Sequence, residues 1–203
     1  MRKSEDTSEP GIHPLLAVAG AVDALLFLHS GGLLAVYMTG NTSKLGQSVT
    51  RLDGGAAGAL SLVIASFLGA TTVAAWLGGF AGRARAPANL SAVAALLGAA
   101  QATAEPHYSL TTVVLIAAAT GTLNQVLPDE AGVTFVTGTL VTLGRAVSSG
   151  HARKSLALAL RWAAFLANAV LATTADERLH APVLGMVAAV VAIIALLTGS
   201  KKT

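Results

Sequence analysis

The chain has no cysteine among its 203 residues, which excludes disulfides, thiolate metal sites and cysteine nucleophiles. Charge is scarce too. Lys, Arg, Asp and Glu make up 11% of the chain, less than half the share of about 25% usual in soluble domains. Its hydrophobic content of 54% is only modestly above the usual range of about 45–50%. The deficit is in charge rather than in an enlarged core, so water is not the main solvent of this chain. Aromatic residues stand at 4%, and no basic stripe interleaved with them offers a nucleic-acid surface. The net charge of +3 fits the setting of membrane orientation rather than polyanion binding. No Walker loop, dinucleotide fingerprint, metalloprotease helix or nucleophile elbow occurs. The five histidines, His13, His29, His107, His151 and His180, lack metal-ligand spacing. A role without catalysis, metal or cofactor is therefore expected.

What is present is long and apolar. Charged residues gather near 2–9, 44–53, 83–85, 129–130, 145–154, 176–180 and 201–202, with hydrophobic runs between them. A helix needs about 20 mostly apolar residues to cross a bilayer. Six stretches approach that length, at about 14–30, 56–80, 87–104, 109–127, 156–175 and 181–199. Their continuous Ala, Leu and Val content lacks the alternation of a barrel strand. The expected fold is an all-α polytopic membrane protein. The first apolar run holds Asp23 and lacks a clean small-residue cleavage site, so it reads as a retained span rather than a leader.

Two further segments, about 32–50 and 132–149, are long enough to cross but are polar or interrupted by glycine. At an offset of 98 they match at five of fourteen positions, including Thr39 with Thr137 and Gly40 with Gly138. Upstream, Gly20-x-x-Asp23 matches Gly121-x-x-Asn124 after a three-residue shift. The chain therefore reads as two homologous halves, 12–104 and 109–199, with cytoplasmic tails at 1–11 and 200–203. If the two Thr-Gly segments are re-entrant, six spans place ten of the thirteen Lys and Arg inside; if both cross, eight spans do the same. Either way both termini are expected in the cytoplasm. The first arrangement gives inverted repeats and the second parallel ones, and both kinds occur in transporters.

The polar residues inside the apolar runs carry the functional reading. An ionised carboxylate at the centre of a membrane helix costs on the order of 2.5–3.5 kcal/mol, so Asp23 is either a proton- or cation-responsive group or a structural acid satisfied by Lys44 or a backbone donor. In Met38-Thr39-Gly40-Asn41 and Thr137-Gly138-Thr139 a hydroxyl stands beside a residue without a side chain. Glycine there lets a helix break. Irregular backbone at membrane depth survives only where it is buried in protein or lines a wet cavity. Paired interruptions in two halves are the pattern of a transporter's binding site, although close helix packing is the alternative. Gly78-x-x-x-Gly82 fits a close helix crossing, within the chain or between copies in a homo-oligomer.

Asp23-Ala-Leu-x-Phe27, Gly31-Gly32, Tyr37-Met-Thr-Gly-Asn-Thr42 and Phe135-Val-Thr-Gly-Thr-Leu140 together resemble the YoaK family, DUF1275, of bacterial integral membrane proteins, a family of unknown function. The resemblance covers nearly the whole chain. It departs at Leu123-Asn124-Gln125, where members tend to show Gln-Asn-Ala. It implies a multi-pass protein of the bacterial inner membrane and supplies no activity or substrate. The expectation is a small-solute transporter or channel-like permease in the lipid bilayer, taking a small molecule or ion and no nucleic acid. Its midplane site would be drawn from Asp23, Met38, Thr39, Gly40, Asn41, Asn124, Thr137, Gly138 and Thr139, with Asp23 as a proton carrier. A membrane scaffold or assembly protein is the alternative. A membrane-embedded enzyme would need more than His151, Arg153 and Lys154, which gather without a nearby acid.

Overall fold

The computed structural model describes residues 11–127, 132, 134–180 and 182–200, and among them every regular element is helical. The order is α1 (Ile12–His29), α2 (Met38–Thr50), α3 (Gly54–Ala81), a 3-10 turn (Gly82–Ala84), α4 (Arg85–Ala102), α5 (Leu110–Leu123), α6 (Val136–Ser148), α7 (Ala152–Leu179) and α8 (Val183–Ser200). Four stretches are long and apolar enough to cross a membrane: Ile12–His29, the 49-residue Gly54–Ala102 that holds both α3 and α4, Ala152–Leu179 and Val183–Ser200. Their outward faces are hydrophobic. Leu68, Trp76 and Phe80 on α3, Leu156, Leu166 and Leu171 on α7, and Ile193 and Leu196 on α8 are all exposed. A continuous apolar surface of this extent suits lipid rather than water.

Local chemistry sets several helix ends. Asp53 begins α3 by accepting from Ala56 N at 3.0 Å, and Ser109 begins α5 by accepting from Thr112 N at 3.3 Å, the usual work of an N-cap. The expected spans 14–30, 56–80, 87–104, 156–175 and 181–199 correspond to α1, α3, α4, α7 and α8. The one expected at 109–127 is α5, which stops at Leu123 after 14 residues, where shorter three-residue bonds from Gln125 N to Thr122 O and from Val126 N to Leu123 O replace the helical pattern. Among the described residues Gly78 and Gly82 do not form a helix crossing. The Arg85 side chain covers Gly78, and Gly82 takes φ +50° at the end of α3, a conformation that suits glycine.

Packing is between distant parts of the chain: α1 lies chiefly on α7, α3 on α5, and α4 on both α5 and α8. Gly20 lies against the Phe165 backbone, and Gly121 against the Phe67 backbone. In each case the missing side chain lets two helices touch main chain to main chain. The helices α1 and α7 run parallel, since Gly20 meets Phe165 and, farther along both, His29 meets Asp176. In contrast α4 and α8 are antiparallel, with Gln101 at Gly185 and Pro87 at Gly199. Buried Leu15, Leu25, Leu26, Leu90, Leu97, Ile116, Leu123 and Leu184 fill the space between them.

The two Thr-Gly segments differ from the sequence expectation. Neither helix is interrupted at its Thr-Gly pair. Thr39 and Gly40 are the second and third residues of α2, and Thr137 and Gly138 hold the same places in α6. The irregular backbone comes before them. Its polar groups are taken by residues elsewhere: Val36 N donates to Asp23, and Leu34 N and O are both bound by Asn41. Once those groups are held by side chains of α1 and α2, they are not available to extend the helix backward.

Candidate functional site

The starts of α2 and α6 face one cavity of about 490 Å³. From the first half it is lined by Val36, Tyr37, Met38 and Thr39, and from the second by Thr134, Phe135, Val136 and Thr137. Phe67 and Thr71 of α3 and the pair Asn124 and Gln125 after α5 complete the wall, with Gly132. Segments 98 residues apart thus meet at one place. Neither α2 nor α6 has a side-chain cap or an acidic residue in its first turn.

Thr39 and Thr137 are both exposed to this cavity. Neither of their hydroxyls has a hydrogen-bond partner among the described residues. That sets them apart from their neighbours on the same helices. Thr42 Oγ1 donates to Met38 O at 2.8 Å, and Thr142 Oγ1 donates to Gly138 O at 2.8 Å, the usual return of a helical threonine to its own backbone. Beside them, Arg85 donates from Nε and Nη2 to Gln125 O and Oε1, both at 3.1 Å. Asn89 Nδ2 donates to the same carbonyl at 2.9 Å. Gln125 is thereby held as part of the wall by a guanidinium that sequence reasoning had assigned only to membrane orientation. No spacing in the sequence joins positions 85 and 125.

Asp23 and Asn124 do equivalent work. Asp23 Oδ1 accepts from Val36 N at 2.8 Å, and Asn124 Oδ1 accepts from Thr134 N at 3.1 Å and from Thr134 Oγ1 at 2.9 Å. Val36 and Thr134 are themselves 98 apart and both line the cavity. Asp23 is only 7% exposed and does not line it. Its partner is a backbone N–H and not Lys44, whose ammonium donates instead to Gly32 O. Thr120 Oγ1 adds a bond to Ala35 O at 2.9 Å, and Thr71 Oγ1 adds one to Gly121 O at 3.1 Å.

Of the nine expected site residues, Met38, Thr39, Asn124 and Thr137 therefore line the shared cavity. Asp23, Gly40, Asn41, Gly138 and Thr139 do not. Asn41 is fully buried and clamps Leu34, donating to its O at 2.7 Å and accepting from its N at 3.1 Å. Gly138 lies under the Phe135 ring, and with Thr139 it lines a second cavity toward α7. The reason is helical geometry. Successive residues turn by about 100°, so only the first residues of α2 and α6 point at the common space.

At the far end of α1 a polar cluster ties distant segments. His29 Nε2 lies 2.7 Å from Asp176 Oδ2, and Nδ1 lies 2.7 Å from Pro106 O. Its ring stacks on Tyr108 with centroids 4.7 Å apart, and Tyr108 N donates to His29 O at 2.9 Å. Burial, and then the Asp176 carboxylate, push the Tyr108 phenol up from its ordinary value.

A family model described as a protein of unknown function, DUF1275, matches residues 14–197. No curated protein and no solved structure matches the chain.

Proposed function

Starting from the fact that the chain belongs to DUF1275, a family whose description assigns no activity, we propose that it is a small-solute permease of the bacterial inner membrane. The solute site is the cavity between the starts of α2 and α6. The observation that carries this reading is the pair of partnerless hydroxyls, Thr39 and Thr137, facing one space from two corresponding helix starts. Helix N-termini expose N–H donors, so this space offers hydroxyls and amides to a solute where a packed bundle would offer methyl groups.

On this reading the chain is a duplicated unit that crosses six times, with α2 and α6 as half-helices. Each has 13 residues, about 20 Å at 1.5 Å per residue, short of the bilayer's hydrocarbon thickness of about 30 Å. The connectivity supports it. The helices α1, α4 and α7 end, and α5 and α8 begin, at the same end of the bundle, where His29, Pro106, Tyr108 and Asp176 meet. The helix α3 must start there, because it leads through the short turn at 82–84 into α4. The segment holding α2 then enters and leaves at one end, and that holding α6 does so at the other. This makes the halves inverted repeats, the arrangement in which alternating access places its site at the repeat interface. Of the nine described Lys and Arg it places Arg83, Arg85, Arg145, Arg153, Lys154 and Arg161 toward the end where α1 starts and α8 stops, which the positive-inside rule assigns to the cytoplasm. Asp23 acts on the site through Val36. A change in its protonation alters the bond that holds one cavity wall, and so couples protons to solute movement.

The test uses the absence of cysteine. Thr39→Cys and Thr137→Cys, reconstituted singly in liposomes, should react with charged thiol reagents supplied in water, and modification should block solute flux. If neither position reacts in the folded protein, the cavity is dry and the permease reading fails.

A further inference from the structure

His29 closes α1 at the end of the bundle away from Ile12 and Ser200, and its ring is held from two sides. Nδ1 lies 2.7 Å from the Pro106 carbonyl oxygen, and Nε2 lies 2.7 Å from Asp176 Oδ2. Both are full hydrogen-bond distances. A carbonyl oxygen only accepts, and so does an ionised carboxylate, so both ring nitrogens have to donate. A neutral imidazole has one N–H and cannot do this. The geometry is that of an imidazolium between a carboxylate and a carbonyl, one proton richer than a neutral ring beside the same acid.

The groups involved come from three parts of the chain: the last residue of α1, the linker at 103–109 between the halves, and the last turn of α7. Tyr108 N also donates to His29 O at 2.9 Å, a bond that does not depend on the charge of the ring. The two ring bonds do. A neutral ring can serve Pro106 or Asp176 and not both, so the linker and α7 then compete for it. Other titratable groups do not stand in for this proton. The helices packed on α1 are α7, α8 and α5, and α5 and α8 contain no titratable residue. After Asp176, α7 carries Glu177 and Arg178, with His180 beyond its end, and all three are exposed. In the linker Glu105 and His107 are exposed too, while Tyr108 stacks on the ring. Lys44, on α2, is bonded to Gly32 O. The repeated unit does not call for the tie, because the position 98 before Asp176 is Gly78.

We propose that His29 and Asp176 form a proton-binding site, and that the bound proton latches the ends of α1 and α7 to the linker between the halves. The two side chains are 19% and 20% exposed, so the proton exchanges with water. At low pH it is bound and both ring bonds are made. As pH rises through about 5–8, the range in which histidine changes charge, the proton leaves and one bond is lost. The folded state then holds fewer protons, and stability falls with rising pH. The site stands independently of whether the central cavity transports anything.

The experiment follows the thermal midpoint of the full chain in detergent from pH 5 to 8.5, for wild type and Asp176→Asn. The variant removes the charge and offers a donor to Nε2, so a neutral ring can keep both bonds. Wild type should be the more stable protein at pH 5.5 and should lose that lead by pH 8, a relative shift on the order of 5 °C for one charge-assisted bond in a chain of this size. A difference that stays constant across the range shows a merely structural contact and overturns the proposal. A second measurement reads the ring itself. H13Q/H107Q/H151Q/H180Q leaves His29 as the single histidine, and at pH 6 both of its ring N–H groups should give persistent nitrogen-15 signals, because hydrogen-bonded protons exchange slowly. A bare ring nitrogen, or N–H signals lost to exchange, overturns the proposal as well. Should one variant fail to fold, the measurement on the other decides.

Discussion

Residues 12–102 and 110–200 agree in the lengths of three of their four helices, the exception being α1 with 18 residues and α5 with 14, and they differ in polar equipment. The helices α2 and α6 each have 13 residues, α3 and α7 each have 28, and α4 and α8 each have 18. Gly20 and Gly121 meet the main chain at Phe165 and Phe67, and these two partners are also 98 apart. Asp23 and Asn124 anchor Val36 and Thr134. Beyond these features the halves diverge. An acid in one is an amide in the other, and a buried Asn41 corresponds to a half-exposed Thr139. The shared contacts hold helices together and helix starts in place, while the differing residues range from buried Asn41 to half-exposed Thr139.

The comparison is broken most directly at the glycines. A methyl group at position 20 or 121 would overlap a backbone carbonyl, which a side-chain rotation cannot relieve. Gly20→Ala and Gly121→Ala should each cost about 3 kcal/mol, the upper end for overpacking, measured as a fall in thermal midpoint in detergent. Equal losses would support equivalent contacts. A tolerant Gly121→Ala beside an intolerant Gly20→Ala would end the equivalence.

Asn41 and Thr139 should show the opposite, a large asymmetry. Asn41→Ala strips both buried bonds from Leu34, at about 2–3 kcal/mol for polar groups left unpaired. Thr139→Ala removes only a 3.4 Å contact to Phe135 O and should stay within about 0.5 kcal/mol, as surface changes usually do. Similar losses at both positions would mean that the second half depends on a clamp these contacts do not reveal.

Exchanging the anchors sharpens the comparison further. Asn124 also donates from Nδ2 to Thr120 O at 3.1 Å. Asn124→Asp would set a carboxylate against that carbonyl and should cost about 1–3 kcal/mol. Asp23→Asn keeps the acceptor for Val36 N and removes a buried charge, so its stability should change by less than about 1 kcal/mol. In liposomes the same Asp23→Asn protein should lose any pH dependence of flux. A folded Asp23→Asn protein with the wild-type pH profile would leave Asp23 a purely structural anchor.

How much of this could be read beforehand depends on range. The apolar helices were legible because hydrophobic runs are local signals. The helix starts at Met38 and Val136 were not, because they depend on Asp23 and Asn124 claiming backbone groups 13 and 10 residues ahead. Lys44 was expected as one partner for Asp23, with a backbone donor as the other choice. The backbone donor is what the fold supplies. The Arg85–Gln125 and His29–Asp176 contacts bridge 40 and 147 residues, and no spacing rule reaches that far.

The smallest effect is expected in the linker between the halves, where Tyr108 has no counterpart to be compared with. Its ring stacks on His29 beside Asp176, and its phenol is pushed up by burial first and by the Asp176 carboxylate second. A group whose folded value is raised contributes stability that is fully present below its unfolded value, about 10 for tyrosine. That stability is lost as pH rises toward the folded value, because the unfolded chain releases the proton first. The wild type should therefore lose thermal midpoint above about pH 10. Tyr108→Phe keeps the stacked ring and removes the titrating group. Near pH 8 it should differ from wild type by less than about 0.5 kcal/mol, and its alkaline decline should be shallower. The measurement is the thermal midpoint from pH 8 to 11 for both proteins. Parallel declines would place the alkaline sensitivity elsewhere and leave Tyr108 only a stacking partner for His29.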